Sequence, residues 1–261
     1  MLAFKPAFRA ITVGTPFAIG SLFLNGEQGA WYDPSDLSSM FQDAAGTIPV
    51  TADGDPVGLM LDKSGNGNHA SQSTATARPL YKTDGTLRWL EFDGVDDILI
   101  ASSVAPISNS FFQALGLKIK SVNGPTFDTT VFGLYTSNLN RADIAIRSSN
   151  NGVARQANQL YRIGGGAQFS PVVSPGFLLN TGFVLSGEQS GSDLKVETDL
   201  GETAAPITYT TETTGLSAFS IGRGNVPWDF FGGLFVKREP FSGEVNAVRN
   251  YLAAKSGVTL P

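Results

Sequence analysis

"LKVETDL", residues 194–200, sets Leu194, Val196, Thr198 and Leu200 on one side of an extended chain and Lys195, Glu197 and Asp199 on the other. Successive side chains of a β-strand point to opposite faces, so alternation over seven residues predicts one buried and one solvated face. The acids of this stretch are expected on the solvated face. The same grammar recurs in "RWLEF" (88–92), "DILIA" (97–101), "TTVFGLY" (129–135), "ADIAIR" (142–147), "GFVLSGE" (182–188), "FSIGR" (219–223) and "GGLFVKR" (232–238). Thirty glycines and fourteen prolines punctuate the chain and keep the apolar runs short. No long amphipathic helical pattern alternates with these strands, which disfavours a parallel sheet and predicts an all-β sandwich.

One helix is expected near the end. In "FSGEVNAVRNYLAAKSG" (241–257) Ser242 can cap, Glu244 lies in the first turn and Gly257 closes the last. Val245, Val248 and Leu252 form one apolar stripe for packing on a sheet. A shorter helical turn is predicted in "DPSDLSSMFQD" (33–43), with Leu37, Met40 and Phe41 on one side.

The bulk numbers bound the function. The 261 residues suffice for one large all-β domain, and 41% hydrophobic content with eighteen phenylalanines supplies its core. Net charge is −5 with scattered basic residues, which argues against a phosphate-tracking surface and hence against nucleic acid as a partner. With no cysteine, disulfides, thiolate nucleophiles and cysteine-ligated zinc are excluded. At the N-terminus, Lys5 and Arg9 precede an apolar stretch from Ile11 to Leu24. Thr12, Gly14, Thr15, Pro16, Gly20 and Ser21 interrupt it, so it is too short and too polar to insert in a membrane. Residues 1–28 are read as an extended arm that places Phe4, Phe8, Ile11, Phe17 and Phe23 against a partner, and residues 29–261 as the domain. The alternative is an N-terminal strand of that same domain.

Candidate sites are few. "LDKSGNGNHA" (61–70) offers Asp62 and Asn66 as candidate metal ligands, but Asp62 is its sole carboxylate. A calcium loop wants more. A turn closed by Asp and Asn side chains, with Gly65 and Gly67 at positive φ, is the stronger reading, and the metal case would improve only if Asp93, Asp96 or Asp97 folded back beside Asp62. His69 is the only histidine, and no G-x-S-x-G elbow accompanies it. A glycosidase needs two carboxylates across a cleft, and no E-x-D-x-E strand motif occurs; no catalytic residue is therefore assigned. A sugar platform would draw on Trp31, Tyr32, Trp89 or Trp228; Trp31 and Trp89 are read as core, and Trp228 either stands outward or plugs one end of the sandwich. The loop "GRGNVPWDFFGG" (222–233) makes Trp228, with Asn225 and Asp229 beside it, the preferred ligand-binding candidate. "RIGGGAQFSPVVSPGF" (162–177) reads as a surface loop able to carry partner contacts.

Four stretches in order carry a resemblance: "GAWYDPSDLSSMFQDAAGTIPVTADGDPVGLMLDKSGNGNHASQ", "ARPLY", "LEFDGVDDILI" and "GRGNVPWDFFGGLFVKREPFSGEVNAVRNYLAAKSGV". The combination resembles the concanavalin A-like, laminin-G-type jelly rolls, and its longer first block is similar to a subgroup encoded by tailed bacteriophages and prophages. Residues 102–218 match no motif of that group. The resemblance implies two curved antiparallel sheets in Greek-key order, with one C-terminal helix. It further implies a virion structural protein, synthesised in the bacterial cytoplasm and assembled at a tail tip or fibre, where it would contact a host-surface glycan. Capsid decoration and a carbohydrate-binding adhesin or lectin are the alternatives. On this reading the protein is not an enzyme and needs no cofactor; its partners are other virion proteins and further copies of itself.

Overall fold

The computed structural model describes residues 17–102, 104, 110–121, 127–137, 140–149, 154–162, 168–169, 172–173, 177–190, 193–206, 218–222 and 226–261. Among these residues the strands form two sheets, and every pairing is antiparallel. The first runs in the order Gly201–Pro206, Asp193–Thr198, Gly182–Ser190, Ser110–Ile119, Trp228–Val236, Arg88–Phe92 and Leu80–Thr83, and Gly29–Tyr32 also pairs with Trp228–Val236. The second runs Gln168–Phe169, Ala154–Arg162, Asn140–Ser149, Phe127–Ser137, Ala218–Ile221, Leu99–Ala101, Ala70–Ser71, Leu59–Met60 and Met40–Phe41, and Val172–Val173 also pairs with Ala154–Arg162. Neighbours in space are often distant in sequence, and the chain crosses between sheets. The architecture is the β-sandwich that the strand pattern predicts, with a single C-terminal helix, Glu244–Ser256.

Alternate residues of the two sheets meet in one core. Phe92, Leu115, Leu117, Leu185, Val196 and Phe235 come from the first sheet, and Met60, Phe132, Ile144, Ile146, Phe219 and Ile221 from the second. Phe219 lies at the centre, edge-on to Phe132 and stacked on Phe235, each with ring centroids 4.5 Å apart.

The other face of the first sheet is covered as well. Phe112, Ala114, Val184, Leu234 and Val236 pack there against Val248, Leu252 and Ala253 of the helix. Strands buried on both faces lose their alternation and read as continuous apolar runs, as "SFFQALGLKI" (110–119) does. The helix comes down closely on glycines. A Cβ on Gly116 would lie 2.1 Å from Ser256 Oγ, and one on Gly182 would lie 2.7 Å from the Ser256 carbonyl.

Several expectations are corrected. Ser242 does not cap the helix: the N-cap is Gly243 at φ 86°, and the Glu244 carboxylate instead accepts from the Phe241 N–H at 2.7 Å and pairs with Arg238. Gly257, at φ 68°, closes the helix as expected. The turn predicted at 33–43 is one 3-10 turn, Leu37–Ser39, after which Met40–Phe41 joins the second sheet. Leu200 is 44% exposed, because the strand ends at Thr198 and Leu200 lies in the hairpin turn. Phe4, Phe8 and Ile11 lie outside the described residues. The described part of the arm packs on its own chain. Ile19–Phe23 form a 3-10 turn whose Ile19, Leu22 and Phe23 are buried in the layer with the helix, and Phe17 packs beside them. No helix among the described residues is long and apolar enough to cross a membrane.

Candidate functional site

The histidine-bearing loop is a saturated turn. Asp62 Oδ1 accepts from the Trp31 N–H (3.0 Å) and the Ser64 N–H (2.8 Å), while Oδ2 accepts from the Asn68 N–H (3.0 Å) and the Ser64 hydroxyl (2.8 Å). Asn66 Nδ2 donates to the carbonyls of Glu27 (3.0 Å) and Gly29 (3.1 Å), and Asn68 Nδ2 donates to Gly29 at 2.7 Å. Gly65 and Gly67 take the predicted positive φ, and exposed His69 accepts the Asp62 N–H on Nδ1. A cation at Asp62 would have to displace four donors, so Asp62 and Asn66 are turn residues and not the metal ligands considered above. Asp93, Asp96 and Asp97 do not fold back beside Asp62. They form a group of their own, with ligand atoms within 4.8 Å of one another.

The block "WYDPSDL" meets "DKSG" and the helix at one corner. Asp33 accepts from the Ser35 N–H (3.0 Å) and hydroxyl (2.6 Å), from the Tyr251 hydroxyl (2.9 Å) and from Lys255 (3.2 Å). Lys63 bridges Asp36 at 2.7 Å and Asp33 at 3.6 Å. Burial pushes the Asp33 carboxyl up, but the Ser35 hydroxyl and the Lys255 ammonium outweigh it and hold the group below the usual carboxylate range. Burial and the Asp33 charge together push the Tyr251 phenol far up.

Trp228 is not a sugar platform. It occupies an inward position of its strand, 1% exposed, stacked on Phe92 at 4.7 Å and edge-on to Phe230. The strand begins at Trp228, within the stretch read as a loop, and across a register shift between Phe230 and Gly232, Trp228, Phe230 and Phe235 face the core while Leu234 and Val236 face the helix. Asp229 is fully buried, with Lys118 at 2.7 Å and Lys120 at 3.0 Å, so it too is unavailable to a ligand. Asn225 lies outside the described residues, as does most of 162–177. Tyr32 is in the core, and Trp31 packs edge-on to Tyr251.

The open site lies where the acids of "LKVETDL" meet the helix. That face of the strand is not simply solvated, because the helix stands over it. Glu197, Thr198, Asp199 and Glu202 from the hairpin and Asn246, Arg249 and Asn250 from the helix line a groove of about 450 Å³, a size typical of small-molecule sites. Positions 246, 249 and 250 are i, i+3 and i+4, so one helical face presents all three. Arg249 is 4% exposed. Its Nε sits 3.2 Å from Glu197 Oε1, and its Nη1 donates to Ser186 Oγ (3.1 Å) and to the Glu197 carbonyl (3.2 Å). Lys195 lies next to the lining, 2.8 Å from Glu202, 3.6 Å from Glu197 and 3.8 Å from Glu188. Burial pushes the Asp199 carboxyl up, and its buried Oδ1 accepts no hydrogen bond. Sequence reasoning missed Asn246, Arg249 and Asn250. The available signal was a helix whose polar side is rich in hydrogen-bonding groups, but nothing local says which strand it covers.

No family model matches the chain, and no curated protein matches it in sequence. Solved structures do. The chain is similar to the Trypanosoma rangeli sialidase in complex with the inhibitor DANA, with 14% identity, TM-score 0.52, and coverage of 83% of this chain and 36% of that one. It is similar to the binding domain of botulinum neurotoxin DC in complex with SialylT, with 10% identity, TM-score 0.53, and coverage of 74% and 48%. An arabinofuranosidase complexed with arabinofuranosyl-alpha-1,2-xylobiose gives 11% identity, TM-score 0.53, and coverage of 77% and 51%. The chain thus spans between a third and a half of these proteins. Likeness at such identity shows the fold. It also corrects the expectation of a non-enzyme, because the neighbours include sialidases and an arabinofuranosidase, enzymes whose chains carry this sandwich.

Proposed function

We propose that the protein binds carbohydrate in the groove between the 193–206 hairpin and the C-terminal helix. The observation that carries this reading is the chemistry of the lining: amides from Asn246 and Asn250 beside the carboxylates of Glu197, Asp199 and Glu202. Sugar hydroxyls both donate and accept, and a wall of mixed donors and acceptors is what they require. The glycan complexes of the toxin binding domain and the arabinofuranosidase add support by analogy of fold. The sequence block similar to phage proteins supports the setting: a virion protein of a tail tip or fibre that grips a host-surface glycan. The test is titration of host-surface oligosaccharides into the wild type and Asn246→Ala/Asn250→Ala. Binding should weaken roughly tenfold or more in the variant with melting unchanged. Absence of binding to any saccharide rejects the reading.

One observation favours a second activity at the same place. Asp199 prefers its protonated form more than an ordinary aspartate, while its neighbour Glu197 is paired with a guanidinium. Two carboxyls in unlike environments suit glycoside cleavage, in which Asp199 gives its proton to the departing sugar oxygen and Glu197 takes one from the attacking water. Release of reducing ends from bound oligosaccharide, lost in Asp199→Asn, tests it; binding without release at prolonged incubation rejects it.

A further inference from the structure

We infer that the groove selects sugars bearing a protonated amine over neutral and acidic ones. The inference rests on the carbohydrate reading of this groove and names the class of glycan. Three carboxylates line the groove, from Glu197, Asp199 and Glu202, against one cation, Arg249. That cation is already committed. Arg249 is almost fully buried, its Nε is spent on Glu197, and its Nη1 on Ser186 and the Glu197 carbonyl. Lys195, the other nearby cation, lies outside the lining and is paired with Glu188, Glu197 and Glu202. Among the described residues no uncommitted cation is left in the lining to receive a ligand carboxylate.

A carboxylate sugar entering here would meet like charge at close range, which disfavours it whatever its hydroxyls gain. An ammonium group meets the reverse. It adds positive charge where Asp199 and Glu197 share one guanidinium, it offers a donor to the unpartnered Asp199 Oδ1, and the exposed Glu202 carboxylate can close on it. Burial raises the proton affinity of Asp199 and the Arg249 charge offsets this only in part, so a further cation at the groove would be favoured. The glycans in the sialidase and neurotoxin structures therefore mark the fold and not the specificity of this chain. A hexosamine with a free amine, as occurs in deacetylated surface polysaccharides, is the class that fits.

The experiment is calorimetric titration of the whole chain at about pH 6.5, where a sugar amine is protonated. Glucosamine trisaccharide, N-acetylglucosamine trisaccharide and sialyllactose are compared at low salt. The amine form should bind roughly tenfold more tightly than the acetylated form, as a few partly exposed charge pairs allow. That ratio should fall toward one in Asp199→Asn/Glu202→Gln, with folding checked by circular dichroism. In the wild type, added salt should shrink the same ratio, which needs no variant. Equal binding of amine and acetyl forms, or tightest binding of sialyllactose, overturns the amine preference and leaves the carbohydrate reading standing. Failure of all three sugars and of every host oligosaccharide overturns both.

Discussion

The Tyr251 hydroxyl donates to Asp33 Oδ2 at 2.9 Å across 218 residues of sequence. This bond, with the Lys255 ion pair, holds the C-terminal helix to the turn that follows the first strand. Asp33 also orders Ser35, so its removal orphans several donors at once. Asp33→Ala should cost about 2–4 kcal/mol in urea unfolding, against about 1 kcal/mol for Tyr251→Phe, which removes one bond. Because the Asp33 carboxyl is held below the ordinary aspartate value of 3.8, its contribution is present above that pH. It is lost as the pH falls through the depressed folded value. Equal stabilities of Asp33→Ala and wild type would show that the corner does not hold the helix.

Trp228 fills the core beside Phe92 and Phe230, and this sets its expected effect apart from that of a binding residue. Trp228→Ala should destabilise by about 3–5 kcal/mol through the cavity it leaves. Trp228→Phe should recover most of that and bind saccharide as the wild type does. A Trp228→Phe protein of native stability that has lost binding would return the residue to the ligand site.

Gly116 fixes how closely the helix approaches the first sheet. A Cβ there collides with Ser256 Oγ and lies 3.2 Å from the Leu252 carbonyl, and the neighbouring strands leave no room to retreat. Gly116→Val should lift the end of the helix and cost about 3 kcal/mol. Since the groove is walled by the same helix, saccharide affinity should fall in the same variant. A variant that melts like the wild type would mean that the helix seat is loose.

Asp97 is 7% exposed and its carboxyl is pushed up to about 6, first by burial and then by the charges of Asp93 and Asp96. A carboxyl whose folded pKa lies above its unfolded value favours the native state when protonated. Its contribution is full below about pH 3.8 and is lost as the pH rises to about 6. Asp97→Asn keeps an oxygen for the Asp93 N–H, which Asp97 Oδ2 accepts at 2.8 Å, and removes the charge. The variant should be more stable than wild type at pH 7 by about 2 kcal/mol, allowing for solvent at the two exposed partners, and the gain should vanish at pH 3.5. A pH-independent difference in thermal melts would contradict the raised pKa.

The strands were legible where one face is core and the other wet. Arg88–Phe92 runs over the residues its alternation predicts, and Asp193–Thr198 over most of them. The tight turn at Asp62 was legible too, because Gly65, Gly67 and the short polar side chains act locally. Legibility failed where a third layer intervenes. Phe111 and Phe112 are both buried, one in the sandwich core and one under the helix, so period two vanishes from Ser110–Ile119. Trp228 was hidden because Pro227 and the flanking glycines read as a loop, whereas the strand already begins at Trp228 and shifts register at Phe231. The groove is a tertiary feature: Asp199 and Asn250 share a wall only because the helix lands on that hairpin, and no pattern within either segment encodes the landing place.

Arg249 and Glu197 test whether the landing place is specified electrostatically. The guanidinium is buried and touches Glu197 through Nε and through the backbone carbonyl, with Ser186 as third partner. Burying such a charge is costly and is offset only while its partners remain. Arg249→Met preserves the apolar stem but leaves Glu197 without its close guanidinium, and should destabilise by about 2–3 kcal/mol. Glu197→Gln should cost less, because Ser186 and the Glu197 carbonyl still receive the guanidinium. In the double variant no unpaired charge remains between the two positions, so the losses should fall short of their sum by about 1–2 kcal/mol. Additive losses in urea unfolding would mean that the pair does not act as a unit. The helix would then be seated by the packing of Val248, Leu252 and Ala253 and by the Asp33 corner, with the groove wall following from those contacts.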